Sequence, residues 1–194
     1  MRTVTTATYD CPVLERDPSV LSFAFMNRLK ARVVRMLGLG EEGGAALPSV
    51  AAAVVQVWSG AADIRIESFS AGDDATLAAG SIRRWCDVDR VDVVFTIGRS
   101  GHEARDFAPE MTAALLERVL PGVEERMHLA SGRGRLDLLF RGKAGMRKGT
   151  LVVNLPDRPA RIRAIVQLLG PIVEHAVEKA RGSDQECVEA GARP

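Results

Sequence analysis

Apolar and β-branched residues gather along this chain in short runs separated by stretches of helical spacing, and the strongest run is Val91-Asp92-Val93-Val94-Phe95-Thr96-Ile97. A near-continuous apolar run with one charge near its start is the pattern of a strand buried on both faces of a parallel sheet. It breaks at Gly98-Arg99-Ser100-Gly101. Two glycines there let the backbone turn sharply and approach a ligand, as a loop after a parallel strand does when it holds an anion. Asp106-Phe107-Ala108-Pro109-Glu110 then opens a helix, with Pro109 suited to the first helical position and Glu110 to the positive end of the dipole.

From the start of the chain, Arg2–Thr8 has the β-branched content of a first strand, ended by Tyr9-Asp10-Cys11-Pro12. Asp17-Pro18-Ser19 marks a helix start, and Val20–Leu37 carries apolar residues at mixed helical spacings. The glycine-rich Gly38–Gly44 reads as a mobile surface loop. Leu47-Pro48-Ser49 leads into an alanine and valine helix ending near Trp58, and Asp63–Ser68 alternates like a strand. Asp73-Asp74 sits at a strand-to-helix turn before a helix over Ala75–Trp85.

Beyond the central loop, Glu110–Val119 is predicted to continue as a helix with Ala113, Leu115, Leu116 and Val119 on its apolar side, and Pro121-Gly122 breaks it. A short helix over Val123–Leu129, a strand-like run Leu136–Phe140 and a buried strand Thr150–Leu155 follow. A long helix over Ala160–Arg181 has Gly170-Pro171 as its expected kink. The tail Gly182–Pro194 is polar and expected to be disordered. Strands alternating with helices predict a three-layer α/β fold on a mostly parallel sheet, as one domain over residues 1–181.

Composition narrows the function classes. Of 194 residues 46% are apolar and 26% charged, ordinary for a globular domain. A net charge of +1 predicts no general attraction to nucleic acid or membrane. Cys11, Cys86 and Cys187 are widely spaced and odd in number, which fits free thiols in a reducing compartment. No apolar run is long enough to span a bilayer and the N-terminus lacks a signal-peptide pattern, so a cytoplasmic location is expected.

Each candidate group has a plain structural reading as well as a chemical one. Paired aspartates such as Asp73-Asp74 are more often helix caps than metal ligands. Asp106 alone reads as a surface carboxylate. Arg133, Arg135, Arg141, Lys143, Arg147 and Lys148 surround a single acid, Asp137, and form either a phosphate-lined pocket or a solvated edge. His102 suits a substrate or surface contact, since neither His128 nor His175 stands at ligand spacing from it. Joint order raises the chemical reading.

Three segments carry a family resemblance: Thr96-Ile97-Gly98-Arg99-Ser100-Gly101, then Arg105-Asp106-Phe107-Ala108-Pro109-Glu110, then Gly145-Met146-Arg147-Lys148-Gly149-Thr150-Leu151-Val152-Val153-Asn154-Leu155-Pro156. Together they resemble the molybdopterin-binding family of molybdenum cofactor biosynthesis, whose pattern is Thr-Thr-Gly-Gly-Thr-Gly, Arg-Asp-x-Thr-Pro-Glu and Asn-Leu-Pro-Gly-x-Pro. Gly72-Asp73-Asp74 is similar to a further motif, and order and spacing agree over residues 48 to 181. The resemblance implies binding of molybdopterin, with possible transfer of an adenylyl group from Mg-ATP to its phosphate. It implies Asp73 and Asp106 as catalytic groups and magnesium ligands. Gly98, Arg99, Ser100, Gly101, Arg105, Glu110, Arg141, Lys143, Asn154 and Pro156 become the binding set. A homo-oligomer, a trimer by analogy, and a phosphorylated pterin or nucleotide are the implied partners.

The departures set an alternative beside that reading. Arg99 replaces the second glycine of the loop, either filling the pocket or pairing with a phosphate. Asp157 stands where the family has glycine and would repel a phosphate. Ala108 replaces a threonine cap, at about 1 kcal/mol of helix stability unless another group caps it. Phe140 replaces a serine, and residues 20–44 look like extra material. The alternative is a non-catalytic binding or assembly protein with a remodelled pocket on the same fold.

Overall fold

The computed structural model describes residues 32–58, 64–130 and 138–180. The expected strand Arg2–Thr8 and the tail Gly182–Pro194 lie outside them. The described strands form one sheet: β1 (Arg32–Leu39), β2 (Ile64–Gly72), β3 (Val93–Ile97), β4 (Arg118–Val119), β5 (Ala144–Arg147) and β6 (Thr150–Leu155), in the order β2-β1-β3-β6-β5-β4. The first four of that order are parallel, while β5 and β4 run antiparallel at one margin. The helices are α1 (Gly40–Trp58), α2 (Ala75–Asp87), α3 (Ala108–Leu115), α4 (Pro121–Ala130) and α5 (Pro159–Ala180).

Alternation along the inner strands builds the three layers. Val93, Phe95 and Ile97 of β3 and Leu151, Val153 and Leu155 of β6 enter one core with Val50 and Val54 of α1 and Ile162, Ile165 and Leu169 of α5. Val94 and Val152 point the other way, into a core with Ala78, Ile82 and Cys86 of α2 and Leu115 of α3. Covered on both faces, these strands have no polar side to show, so their sequence is continuously apolar.

Several expectations change. Residues 32–37, predicted as the end of a helix, fall in the inner strand β1; Val33, Val34, Met36, Leu37 and Leu39 serve both cores, and their spacing fits a two-sided strand as well as a helix. Gly38–Gly44 is the close-packed passage from β1 into α1 rather than a surface loop, with Gly38, Gly40 and Gly43 buried. Residues 32–44 therefore form β1 and the start of α1. The helix expected over Glu110–Val119 stops at Leu115, and Val119 is half-exposed in β4. In the run Leu136–Phe140, Leu138 and Leu139 form a tight turn and both are exposed.

β5 was hidden because Ala144-Gly145-Met146-Arg147 lacks β-branched residues. Its signal is the turn into β6: Lys148 and Gly149 both have positive φ, 49° and 87°, the backbone of a two-residue hairpin with glycine second.

Burial also sets one titration. Removal of the Cys86 thiol from water pushes its pKa up to about 11 from 9.0. The unfolded chain then loses this proton first, so stability is full below pH 9 and falls by roughly 2–3 kcal/mol as the pH rises to 11. Urea melts of the native chain and of Cys86→Ala between pH 8 and 11 measure it. The difference between the two should shrink steadily over that range; a constant difference excludes it.

Candidate functional site

Strand order reverses direction between β1 and β3, because β2 lies on one side of β1 and all later strands on the other. Such a switch point leaves a crevice outside the carboxyl ends of the strands. A cleft of about 320 Å³ lies there, lined by the Gly98–Gly101 loop, Glu42 of α1, His102, Arg105 and Asp106, and across from them Phe140, Pro156, Asp157, Arg158 and Arg161.

The loop is held from behind. The carbonyl of Arg99 accepts from the Ala108 amide at 3.0 Å, that of Ser100 from the Arg141 amide at 2.9 Å, and that of Gly101 from Arg141 Nε. In a trans peptide the N–H points opposite to the carbonyl, so these anchors turn the amides of Ser100, Gly101 and His102 the other way, an arrangement that suits an anion. The Ser100 hydroxyl donates to the Leu155 carbonyl at 3.4 Å. The first of these bonds also satisfies the start of α3, whose cap is Phe107 without a side-chain bond and which carries Pro109 in its first turn. Ala108 therefore needs no threonine.

Asp73 and Asp74 divide the two readings of the pair between them. Asp74 caps α2, accepting from the Leu77 amide at 2.8 Å. Asp73 instead receives Arg99 Nε at 2.6 Å, and that hydrogen bond holds its carboxyl below the usual range. Arg99 occupies the left-handed region at φ 50°, and its side chain is only 7% exposed. Its other nitrogens approach Glu42 at 3.8 Å and lie against Gly40, where an added Cβ would meet the guanidinium at 2.6 Å. Asp106, on the far flank of the loop, accepts from the Glu103 amide at 2.8 Å and lies 2.7 Å from the position a Gly101 Cβ would take. Both aspartates thus flank the glycine loop, each with a partner of its own.

The residues present do not suit the magnesium ion that two aspartates would hold. A dication on Asp73 would sit beside a guanidinium already paired with the same carboxylate, a like-charge contact in a partly buried site. Among the described residues, no three His, Cys, Asp or Glu side chains gather to hold a metal ion.

The basic segment resolves into ion pairs. Arg141 binds Glu110, Lys143 binds Glu124 at 3.2 Å, Arg147 binds Asp87 at 2.6 Å and Lys148 binds Glu117 at 3.1 Å. These partners lower the carboxyls of Glu110, Asp87 and Glu117. Among the described members, then, the segment does not line a phosphate pocket; Arg141 braces the loop and Lys143 supports Asn154. The cleft's cations are Arg99, Arg105, Arg158 and Arg161. Arg158 and Arg161 were missed in the sequence, though basic residues flanking the Pro159 helix start directly after the Asn-Leu-Pro segment were the available signal.

Asn154 is fully buried and belongs to the frame rather than the lining. Its amide nitrogen donates to Thr96 and Thr112 at 2.6 and 2.7 Å, and its oxygen accepts from the Lys143 amide at 2.9 Å. β3, α3, β6 and the segment leading into β5 meet on this one side chain. Phe140, in the serine position, is buried at the cleft wall edge-on to His128, with ring centroids 5.4 Å apart.

A family model described as "Probable molybdopterin binding domain" matches residues 45–175. The chain is 32% identical over 112 residues to the molybdopterin adenylyltransferase of Helicobacter pylori, covering 57% of this chain and 64% of that protein. It is 30% identical over 90 residues to the Escherichia coli K12 molybdopterin adenylyltransferase, covering 44% and 46%. The matches thus span less than two thirds of these relatives. Among solved structures, the molybdopterin biosynthesis enzyme MoaB of Thermus thermophilus superposes with a TM-score of 0.67 at 28% identity, covering 80% of this chain and 99% of that one. The molybdopterin biosynthesis Mog protein of Mycobacterium ulcerans superposes at 0.68 and 25% identity, covering 77% and 99%.

Proposed function

Because the chain belongs to the family of probable molybdopterin binding domains, we propose that it serves molybdenum cofactor biosynthesis by binding molybdopterin in the cleft over Gly98–Gly101. The observation that carries this is the tied-back loop: three anchored carbonyls turn successive amides away from their anchors, and Arg158 and Arg161 line the same cleft. Such a site takes the terminal phosphate of the ligand through oriented dipoles and charge-assisted hydrogen bonds. Asp157, exposed beside Arg158 at the rim, trims the positive field. Phe140 and Pro156 offer apolar surface for the less polar part of the ligand.

The test is a fluorescence titration of the purified chain with molybdopterin under anaerobic conditions. Saturable binding is expected, weakened tenfold or more in the Arg158→Ala/Arg161→Ala variant, since each hydrogen bond to a charged group contributes about 1.5–3 kcal/mol. No binding, or a variant that binds like the native chain, excludes the reading.

A second reading, adenylyl transfer to that phosphate, is favoured by the similarity to two proteins described as molybdopterin adenylyltransferases. Pyrophosphate release from ATP and molybdopterin, with magnesium present, is its measurement. The Arg99–Asp73 pair weighs against it, and the binding role stands without it.

A further inference from the structure

We propose that the Arg99 guanidinium is the built-in cation of this cleft, taking the place of a divalent metal ion among the acids and keeping such ions out. Two carboxylates face it, Asp73 at 2.6 Å and Glu42 at 3.8 Å, and both raise the Arg99 pKa. A charged side chain only 7% exposed would carry a large desolvation cost without such partners. The backbone is built to deliver it. Arg99 adopts φ 50°, a conformation glycine takes freely and arginine does not, and Gly40 leaves the space its guanidinium fills.

Arg105, 3.9 Å from Glu42, also lowers Asp73, but its side chain is 58% exposed and solvent screens it. Arg99 is therefore the cation that balances the acids. Taking it away leaves Asp73 and Glu42 facing an emptied volume, a pair of oxygen ligands of the kind a hard dication accepts. Exclusion of a dication from the cleft is thus assigned to one side chain.

The inference takes from the proposed function only that the cleft's natural ligand is an anion, and manganese alone tests it with no pterin present. Mn²⁺ binding to the full chain is followed by electron paramagnetic resonance. The native chain is expected to bind Mn²⁺ no better than scattered surface carboxylates do. Arg99→Gly, which suits the left-handed backbone, should bind at least tenfold more tightly. Arg99→Met keeps the stem and removes the charge, guarding against a loop that loosens with glycine, and it should gain similarly. Adding Asp73→Asn to Arg99→Gly should abolish the gain. Native binding as tight as that of Arg99→Gly, no gain in either variant, or a gain that survives Asp73→Asn would each overturn the proposal. Failure of molybdopterin binding would leave these outcomes unchanged, so the two claims can fail separately.

Discussion

Gly43→Ala is expected to cost about 3 kcal/mol or more of unfolding free energy, although alanine is ordinarily the better helix residue by about 1 kcal/mol. Gly43 lies in the first turn of α1, where an added Cβ would stand 2.1 Å from the carbonyl oxygen of Ile97. Neither partner can yield: Ile97 is fully buried at the end of β3, and on the other side of the same contact a Gly98 Cβ would meet the Leu39 carbonyl at 2.5 Å. Relief requires α1 to move off the sheet, carrying Val50 and Val54 out of their core. Gly80→Ala is the matched control in α2, where an added Cβ meets nothing within 4 Å and the site is exposed. It should stabilise by roughly 0.5–1 kcal/mol. Urea denaturation of both variants should give opposite signs; equal effects would mean that helix propensity, not the α1–β3 approach, governs Gly43.

Asn154→Leu should rank with it, at about 3–4 kcal/mol, though the number and branching of the side-chain heavy atoms are unchanged. The substitution strands the Lys143 amide and two threonine hydroxyls that now share Asn154, and each buried group without a partner costs about 1–3 kcal/mol. Each threonine oxygen loses only the hydrogen bond it accepts from Asn154, its own O–H remaining able to donate, which is why the effects are not expected to sum fully. If the network is the cause, Thr96→Val and Thr112→Val added to Asn154→Leu should recover part of the loss, because removing both partners leaves less unsatisfied. A triple variant weaker than the single one would mean that Asn154 acts by shape alone. The same melts, run with and without a saturating anion, report whether the frame supports the cleft.

The sheet's inner strands were legible because burial on both faces writes itself as continuous apolar sequence: Val93–Ile97 and Thr150–Leu155 lie where their patterns put them. The helix α2 was legible from its start signal, Asp74, whereas α4 begins two residues before the expected Val123, because Pro121-Gly122 reads as a break yet forms its first turn. The first strand was not, since an inner strand serving two cores fills consecutive positions that a helical template also accepts. Gly38–Gly44 misled for a related reason. Local preference assigns glycine to loops, whereas here glycines permit backbones distant in sequence to touch, and no local pattern records that.

The candidate site shows the same division. The glycine loop, Asp106 and Pro156, which the family resemblance singled out, lie together along the cleft, and Asp73 stands at its side. Charge density along the chain misplaced the cations, because Arg141, Lys143, Arg147 and Lys148 find acids from α2, α3, α4 and the segment before β4 only after folding. The direction of Arg99 was undecidable from sequence: guanidinium length permits either answer, and the choice rests on Asp73 and Glu42 lying on elements that β1 and β2 bring alongside the loop.

The strand beneath the loop is paired to β1 on one side and to β6 on the other, and both partners are remote along the chain. A nascent polypeptide therefore exposes this greasy segment until Leu155 has left the ribosome, since only then can its second edge be closed. Folding dominated by such distant pairings is slow and vulnerable to self-association. Chains truncated before β6 should accordingly depend on chaperones or precipitate, however intact their ligand loop.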